Sequence, residues 1–446
     1  SANTGWHLDF AHPKTDSAGH QMTWEIVVSD WKRNRLTERL NLNVPIIQAP
    51  MAGASTPAMA TAVSRGGGLG SLGAGKQLPD KTRVDCQTIR AETNGAYNLN
   101  FFAHEEPEVD SAQSETMREQ IKPYFEEFGL KDIPRAEVTY EPFNEDHLAA
   151  VLDMMPPVVS FHYGLPRADL FKAVKGAGLF TISSATNLRE AKELEVGGID
   201  AIIAQGYEAG GHRGTFTEPY DDGYLGTMAL VPQIVDAVSV PVIAAGGIMD
   251  GRGIAAALAL GAEAVQMGTA FLCTSESMIA QVYRDILVGS DANETRLTHA
   301  FSGRPARGIE NRYIREMRGN EDKLPSFPIP DTLLRPLQIA SAEAGSGDFV
   351  SLWAGQGLGM SRTMAAGKGR TVSTRQPVVV VLDTVSRPPS AVAARPPALA
   401  APHGSSHGST RSSSALPPRT TASLAMNKLP NSTWPICKNH SLTMAP

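Results

Sequence analysis

Three stretches of the sequence decide the fold: AIIAQG (201–206), PVIAAGG (241–247) and AVQMGTAFL (264–272). Each is a short, continuous apolar run, which is typical of a parallel strand that is buried on both faces. Amphipathic patterns at residues 229–238 and 251–261 predict a helix between each pair of strands. The order strand, helix, strand indicates parallel strands that are joined by helical crossovers.

The same alternation extends toward the N-terminus and supplies five more strands. Asn187 and Asp250 are suitable N-cap residues, because their side chains accept hydrogen bonds from backbone amides in the first turn of a helix. Eight strands that alternate with helices over about 230 residues favour an α/β fold of the (β/α)8 TIM barrel type over an open sheet. The additional predicted strands are 45–50, 68–73, 96–103, 158–163 and 179–185, and the additional predicted helices are 57–65, 79–93, 145–155, 167–176 and 187–197.

The repeat stops after the eighth strand, and this sets the predicted domain organisation. We assign residues 23–275 to the barrel. Residues 276–345 predict a small, mainly helical subdomain near the C-terminal face of the barrel, on the substrate side, with a helix at 276–287. Residues 346–369, which contain Trp353, are expected to return to the barrel and close it.

The two ends of the chain differ in composition from its middle. Residues 1–22 are polar and aperiodic, so we predict a disordered leader. From Thr371 onward seven Lys and Arg residues face one acidic residue, Asp383, so the net charge of -6 combines an acidic body with a basic tail. The Pro-, Ser- and Ala-rich residues 370–446 bury too little apolar surface to offset the entropy of ordering, which predicts a disordered tail.

The overall composition of the 446-residue chain argues against several classes of protein. Its net charge of -6 gives no general case for nucleic-acid binding. Cys86, Cys273 and Cys437 lie far apart and form no Cys-x-x-Cys pair, which argues against a disulfide scaffold, a zinc ribbon and an iron–sulfur site. No apolar run is long enough for a membrane span, and no signal-peptide pattern is present, so we expect a cytoplasmic protein.

The glycine-rich loops after the last two barrel strands predict a phosphate site. Gly246 and Gly247 follow the seventh predicted strand, and Gly268 and Thr269 lie on the eighth. Loops in these positions are the usual phosphate site of TIM barrels, because glycine lets backbone amides approach an anion closely. The alternative is that these glycines only form tight turns between strands and helices.

GLGSLG (68–73) matches the dinucleotide-binding pattern Gly-x-Gly-x-x-Gly, but its context is wrong. That motif requires glycines that follow a strand and open a helix, whereas these glycines follow the helix predicted at 57–65 and form a strand themselves. No Walker phosphate-binding loop is present either. We therefore exclude a Rossmann-type dinucleotide site.

The loop after the sixth strand, QGYEAGGHRGT (205–215), contains the strongest catalytic candidate, His212. Histidine is suited to general base catalysis near neutral pH, and flanking glycines bring its side chain close to a ligand. The alternative is a surface or hydrogen-bonded histidine without a catalytic role. His162, Tyr163 and Tyr207 are candidates for lining the pocket, and no set of residues has the spacing of a metal site.

Taken together, these and other motifs resemble the nitronate monooxygenase family, formerly called 2-nitropropane dioxygenase. The resemblance implies a barrel that binds FMN and oxidises alkyl nitronates, such as propionate 3-nitronate, with O2 to a carbonyl compound and nitrite. The partners would be a nitronate or nitroalkane and O2, and the chain would be a monomer or a homodimer. The motifs that carry the resemblance are QAPMAG (48–53), NLNFF (98–102), SFHYGLP (160–166), GIDAIIAQGYEAGGHRG (198–214), AAGGI (244–248), QMGTAFL (266–272), FSGRPARGIENR (301–312) and LWAGQG (352–357).

The resemblance also implies a set of site residues, with His212 as the general base. Arg304 and Arg307 are expected either to bind an anionic substrate or to brace the subdomain against the barrel. Gly211 and Gly246 lie beside the implied contacts, and we assign them to the cofactor as well. The flavin contacts fall on Ala49, Pro50, Met51, Asn100, Gln205 and Gly210, and the phosphate contacts fall on Gly247, Gln266, Met267, Gly268 and Thr269.

Two other functions remain open at this point. Flavin-dependent enoyl-thioester reductases share a loop similar to EAGGH (208–212), and such an enzyme would use NAD(P)H as its reductant. A flavin-binding protein without turnover is the second alternative. The segments at 301–312 and 352–357 favour the monooxygenase.

Overall fold

The computed structural model describes residues 32–290 and 294–362. The predicted leader (1–22) and the predicted tail (370–446) lie outside these ranges, as do the last residues of the predicted return segment. Within the two described ranges, no helix is both long enough and apolar enough to cross a membrane.

Eleven strands in the described residues form two sheets. Eight of them form one parallel sheet, and a bridge between Ile47 and Leu69 joins its two edges. The sheet is therefore a closed barrel, which confirms the predicted (β/α)8 fold. The strands are β1 (Ile46–Gln48), β2 (Gly70–Gly73), β3 (Tyr97–Phe102), β4 (Val158–His162), β5 (Phe180–Ala185), β6 (Ala201–Gln205), β7 (Gly211–His212), β8 (Val242–Ala245), β9 (Ala264–Met267), β10 (Thr295–Thr298) and β11 (Ala306–Ile309). The barrel order is β1-β9-β8-β6-β5-β4-β3-β2, and the second sheet has the order β10-β11-β7.

Helices connect the barrel strands and cover their outer face. Asn187 and Asp250 are N-caps as predicted, and their side chains accept hydrogen bonds from the backbone amides of Glu190 and Arg252, both at 2.9 Å. The helices are α1 (Arg35–Leu40), α2 (Pro57–Arg65), α3 (Pro79–Glu92), α4 (Ser111–Glu127), α5 (Glu145–Met154), α6 (Ala168–Gly176), α7 (Leu188–Val196), α8 (Thr227–Ala237), α9 (Gly251–Ala259), α10 (Thr269–Leu272), α11 (Gln281–Gly289), α12 (Arg312–Met317) and α13 (Ile329–Glu343).

The barrel interior changes from apolar to polar along the strand direction. Side chains alternate between the two faces of a strand, so Val158, Ser160 and His162 of β4 share the inner face. The first of these belongs to an apolar cluster near α1, whereas His162 lies at the C-terminal end of the strand. The same alternation leads to Gln205 at the end of β6. Polar inward-facing side chains therefore collect at the C-terminal face.

Two predicted elements were partly wrong. The predicted strand at 264–272 ends at Met267, and Thr269–Leu272 forms the short helix α10. A continuous apolar run does not distinguish a buried strand from a buried helix, and here it contains both. The helix predicted at 276–287 begins instead at Gln281, because Ser277 lies in a turn in which its amide donates to the carbonyl of Thr274 at 3.2 Å.

The long helix α4 did not appear in the sequence prediction. It lies between β3 and α5, and its buried residues Ser114, Met117, Ile121 and Phe125 follow a helical spacing of three or four residues. Met117, Ile121 and Phe125 pack into one apolar cluster with residues of α12 and α13. The subdomain core therefore includes a segment inserted between barrel elements, far from residues 276–345 in the sequence.

The subdomain also contains strands that the sequence prediction missed. β10 and β11 form an antiparallel pair, and β11 continues onto β7, where Ala306 pairs with His212 and Arg307 pairs with Gly211. Trp353, in the segment that returns to the barrel, forms a bridge with Gly308 of β11. This small sheet joins the loop that contains His212 to the subdomain.

The packing of α7 against the barrel provides a test of the core. Replacing Leu194, which is 1% exposed, with alanine removes buried methyl groups and leaves a cavity. We expect Leu194→Ala to lower the free energy of unfolding by about 2–5 kcal/mol in denaturant titrations. Val196→Ala, at a 90% exposed position of the same helix, is the matched control and should change it by less than about 0.5 kcal/mol. Equal effects of the two substitutions would contradict the assignment of the buried face.

Candidate active site

The loop between β6 and α8 places His212 at the C-terminal face of the barrel. The Gln205 side chain holds this loop at His212 and at Gly214, two residues later. Its Nε2 donates to the His212 carbonyl at 3.0 Å, and its Oε1 accepts from the Gly214 amide at 2.7 Å. Gln205, which the resemblance implies as a flavin contact, thus has both polar ends of its amide engaged by the loop that contains His212.

A buried guanidinium braces the same loop. Arg213 is 1% exposed and donates to the carbonyls of Gly206 at 2.6 Å and of Gln205 and Gly223, both at 2.8 Å. Burial, with the nearby charge of Arg307, lowers the pKa of Arg213 to about 10. The side chain is therefore still protonated at neutral pH, and it ties the start of the loop to its end.

Glu190 of α7 is the second buried charge that fixes the loop. Its carboxylate is fully buried and accepts six hydrogen bonds. One oxygen accepts from the amide and hydroxyl of Thr186, at 2.6 and 2.8 Å. The other accepts from the Thr215 hydroxyl at 2.7 Å, the Phe216 amide at 2.9 Å, and the Thr217 amide and hydroxyl at 3.2 and 3.1 Å. This many donors offset the cost of burying a carboxylate, so the three residues after Gly214 are held closely.

The imidazole of His212 lies between the barrel and the subdomain. Its Nε2 is 2.8 Å from Oγ of Ser302, and its ring lies 5.4 Å from Trp353 and 5.6 Å from Phe327, measured between ring centroids. Burial lowers the pKa of His212 to about 3, and the positive charge of Lys76 acts in the same direction. The side chain is therefore a neutral imidazole at physiological pH, with a lone pair available to accept a proton.

His162 supports the backbone of His212. Its Nε2 lies 3.3 Å from the His212 carbonyl oxygen, and its Nδ1 lies 2.7 Å from Oγ of Ser184. Because a carbonyl only accepts, Nε2 carries the proton and Nδ1 accepts from the serine. Burial lowers the pKa of His162 to about 4, which keeps this tautomer uncharged. His162 thus positions the backbone of His212, and its role in lining a substrate pocket stays a prediction.

Four aromatic residues, Phe102, Tyr140, Tyr163 and Phe327, form a buried group next to His212, which we call the mouth cluster. The Phe327 ring lies 5.4–6.0 Å from the other three rings, measured between centroids. Tyr163 adopts a left-handed backbone conformation with φ of 72°. The cluster excludes water from one side of the histidine.

The two arginines of the 301–312 motif have different contacts. Arg304 places its guanidinium 4.3 Å above the ring of Tyr163 and donates to the Thr215 carbonyl at 3.1 Å. Arg307 is 2% exposed, lies 4.3 Å above the ring of Tyr207 and donates to the Tyr207 carbonyl at 3.0 Å. Arg307 therefore braces β11 against the loop that contains His212, whereas Arg304 faces the mouth cluster.

The residues predicted to bind phosphate meet at the ends of β8 and β9. Gly246 and Gly247 have φ of 114° and 70°, a conformation that favours glycine. A Cβ added to Gly268 would lie 3.5 Å from the Ala49 side chain and 3.8 Å from Sδ of Met51, so the predicted phosphate and ring contacts adjoin one another. The nearby helix α9 is capped by Asp250, whose carboxylate accepts from the Arg252 amide at 2.9 Å.

Other predicted cofactor residues have contacts within the protein. The Asn100 side chain donates to Oγ of Ser160 at 3.0 Å. Oγ1 of Thr269 accepts from the Gly355 amide at 3.0 Å, which ties the return segment to the barrel. A Cβ on Gly210 would lie 2.4 Å from the Gly355 nitrogen, so close packing against the return segment already requires glycine there. Of the remaining predicted cofactor residues, Gln266 and Met267 are the last two residues of β9, and Pro50 immediately precedes Met51. Gly211 pairs with Arg307 of β11.

Several side chains around His212 were not singled out in the sequence. Ser302 lies in the motif FSGRPARGIENR (301–312) and contacts His212. It immediately precedes Gly303, whose φ is 80°, and a hydroxyl next to such a turn glycine could have indicated a functional position. Phe327 gave no such signal, because an apolar ring in a loop resembles an ordinary core residue. Trp353 was expected only as part of the segment that returns to the barrel. Within the described ranges, no group of three His, Cys, Asp or Glu side chains is arranged to hold a metal ion.

Comparisons with known proteins agree with this architecture. Residues 33–368 match the family model described as nitronate monooxygenase. A protein named probable nitronate monooxygenase from Staphylococcus aureus strain MRSA252 is 42% identical over 337 residues, which cover 75% of this chain and 95% of the relative.

Solved structures give the same result. Nitroalkane oxidase from Streptomyces ansochromogenes aligns with a TM-score of 0.70 and 37% identity, covering 79% of this chain and 97% of that one. FabK from Thermotoga maritima aligns with a TM-score of 0.61 and 29% identity, covering 79% and 96%. The chain therefore belongs to the nitronate monooxygenase family, a family of flavin-dependent oxidoreductases.

Proposed function

We propose that this protein is an FMN-dependent monooxygenase that oxidises alkyl nitronates with O2 to a carbonyl compound and nitrite. The observation that carries the proposal is the neutral imidazole of His212, held at the mouth of the barrel by Gln205, His162 and Ser302. An uncharged imidazole can accept a proton, and negative charge that develops on a nitro group beside it raises its pKa again, so His212 can take a proton from a carbon next to that group.

The residues at the barrel mouth fit FMN. The turn at Gly246–Gly247 and the neighbouring Gly268 and Thr269 offer backbone amides and a hydroxyl to a phosphate. Ala49 and Met51 adjoin Gly268 and offer a surface for the isoalloxazine ring. A bound flavin supplies the electron acceptance and the reactivity with O2 that protein side chains do not have.

The protein's part in the reaction is to orient the substrate and manage one proton. With a neutral nitroalkane, a His212 nitrogen takes the α-proton, and the negative charge that develops on the nitro oxygens favours the imidazolium. With a preformed nitronate no proton transfer is needed, and His212 stabilises the anion. Arg304, whose guanidinium lies 4.3 Å above the Tyr163 ring, adds a positive charge near the base. The aromatic rings of Phe327 and Trp353 limit access of water to His212.

A nitrite assay with and without NADH tests the proposed reaction. FMN-loaded protein should consume O2 and release nitrite from propionate 3-nitronate or ethylnitronate when no NAD(P)H is present. Anaerobic bleaching of the flavin by NADH without nitrite formation would instead indicate the enoyl-thioester reductase. Protein that binds FMN but turns over neither substrate would indicate a flavin-binding protein, and failure to bind FMN would overturn both enzyme functions.

His212→Asn separates proton abstraction from anion oxidation. The variant should lose at least about a hundredfold in kcat/KM on neutral nitroethane, since a positioned base contributes roughly 10²–10⁴-fold. Its kcat/KM on ethylnitronate should fall by less than about tenfold, because that substrate has already lost the proton. The nitronate is the control for folding and flavin binding in the same variant. Equal losses on both substrates would remove His212 from the role of base.

The described site residues all lie before residue 363, and the family match ends at residue 368. Removing residues 371–446 should therefore leave kcat and KM for ethylnitronate within about twofold of the full chain. Steady-state kinetics of the two chains measure this directly. A large loss of turnover would show that the basic tail contributes to the site.

A further inference from the structure

Glu208 and Thr227 connect the loop that contains His212 to the turn at Gly246–Gly247. Glu208 precedes His212 in this loop, and Thr227 is the first residue of α8. Both oxygens of the Glu208 carboxylate accept from the Thr227 amide, at 3.0 and 2.8 Å, and the Thr227 hydroxyl lies 2.9 Å from Oε2. The N-cap of α8 is Gly226, which has no side chain, so the Glu208 carboxylate takes the place of a cap.

The Thr227 hydroxyl also reaches the glycine turn. It lies 3.0 Å from the Gly246 carbonyl oxygen, which can only accept, so its proton is shared between this carbonyl and the Glu208 carboxylate. Thr227 is 9% exposed, and its hydroxyl lies in a narrow space, since a Cβ on Gly206 would lie 2.0 Å from it and a Cβ on Gly246 2.9 Å. The hydroxyl is therefore confined between the two loops.

This contact sets the orientation of the peptide between Gly246 and Gly247. Glycine does not restrict the plane of a peptide through its own side chain, so an outside contact has to fix it. In a trans peptide the C=O and the N–H point in opposite directions. Because the Gly246 carbonyl points to Thr227, the Gly247 amide points away from Thr227. Gly247 is exposed, and among the described residues its amide has no hydrogen-bond partner, so this donor is open to a ligand.

We propose that Glu208 and Thr227 are positioning residues that turn the Gly247 amide toward the flavin phosphate, and so select FMN over riboflavin, which has no phosphate. The inference rests on the proposed function, which assigns the phosphate to this turn, and it deepens that function. Glu208 acts by fixing Thr227, and Thr227 acts by fixing the peptide. A donor that is already oriented increases affinity, because binding does not have to order it.

FMN and riboflavin are a matched pair of ligands, since they share the ring and the ribityl chain and differ in the phosphate. Fluorescence titration of the flavin-free, full-length chain gives a Kd for each without any turnover. Thr227→Val removes the hydroxyl at nearly constant size. It should raise the Kd for FMN by about tenfold or more, as expected for a lost hydrogen bond to a charged group, and change the Kd for riboflavin by less than about twofold. Thr227→Ser keeps the hydroxyl and should retain the preference for FMN.

Glu208→Ala tests the carboxylate, and the sign of its effect is informative. A carboxylate near the turn repels a phosphate, so if its charge alone mattered, its removal would tighten FMN binding. We expect the opposite, a rise of about tenfold in the Kd for FMN with little change for riboflavin, because Thr227 loses the group that holds it.

Glu195→Ala is the matched control. Glu195 of α7 accepts from the amide and the hydroxyl of Ser239, both at 2.6 Å, which is the same kind of contact as that of Glu208 with Thr227. Ser239 precedes β8, whereas the glycine turn follows it, so this contact lies at the opposite end of the barrel. Glu195→Ala should change the Kd for either flavin by less than about twofold.

The two ligands separate a positioning role from a general loss of structure. Equal losses of affinity for both flavins in Thr227→Val, or no loss for either, would overturn the inference, and tighter FMN binding by Glu208→Ala would remove Glu208 from it. If the variants lose the preference for FMN but the wild-type protein releases no nitrite, the reaction is wrong and the inference stands. If nitrite forms but the variants keep the wild-type preference, the inference is wrong and the reaction stands. Wild-type protein that does not prefer FMN to riboflavin would contradict both the phosphate site and the inference.

Discussion

The position of His212 depends on two buried charges, the carboxylate of Glu190 and the guanidinium of Arg213. Neither could be buried at a tolerable cost without a full set of hydrogen-bond partners, and the loop between β6 and α8 supplies most of them through its own backbone and hydroxyl groups. The two buried charges are satisfied only in this conformation of the loop. The same conformation holds the imidazole of His212 in one place at the barrel mouth.

The subdomain completes the environment of the base. The strand that contains His212 pairs with β11, so the histidine is tied to a barrel loop on one side and to the subdomain sheet on the other. Ser302 and Phe327 reach the imidazole from this second layer. Burial between the two layers keeps the imidazole uncharged. A barrel without the subdomain would leave this ring in water, with a pKa nearer its usual range.

The sequence predicted the barrel well, because its strands are apolar runs whose neighbours in space are also near in sequence. His212 and the glycine turns were predictable for a similar reason, since the C-terminal ends of parallel strands collect functional residues. Helix α4 and the sheet of β7, β10 and β11 were not predicted. Their partners are distant in the chain, and strands as short as Gly211–His212 have no pattern of their own. The contacts of Ser302 and Phe327 with His212 likewise arise only when separate segments meet.

We propose that FMN lies against the ends of β1, β8 and β9 with its reactive face toward His212. A crystal structure of the FMN complex measures this directly. We expect the phosphate at Gly247, Gly268 and Thr269, the isoalloxazine ring against residues 49–51, and its N5 edge open toward the imidazole. A phosphate bound elsewhere, or a ring plane turned away from His212, would contradict it.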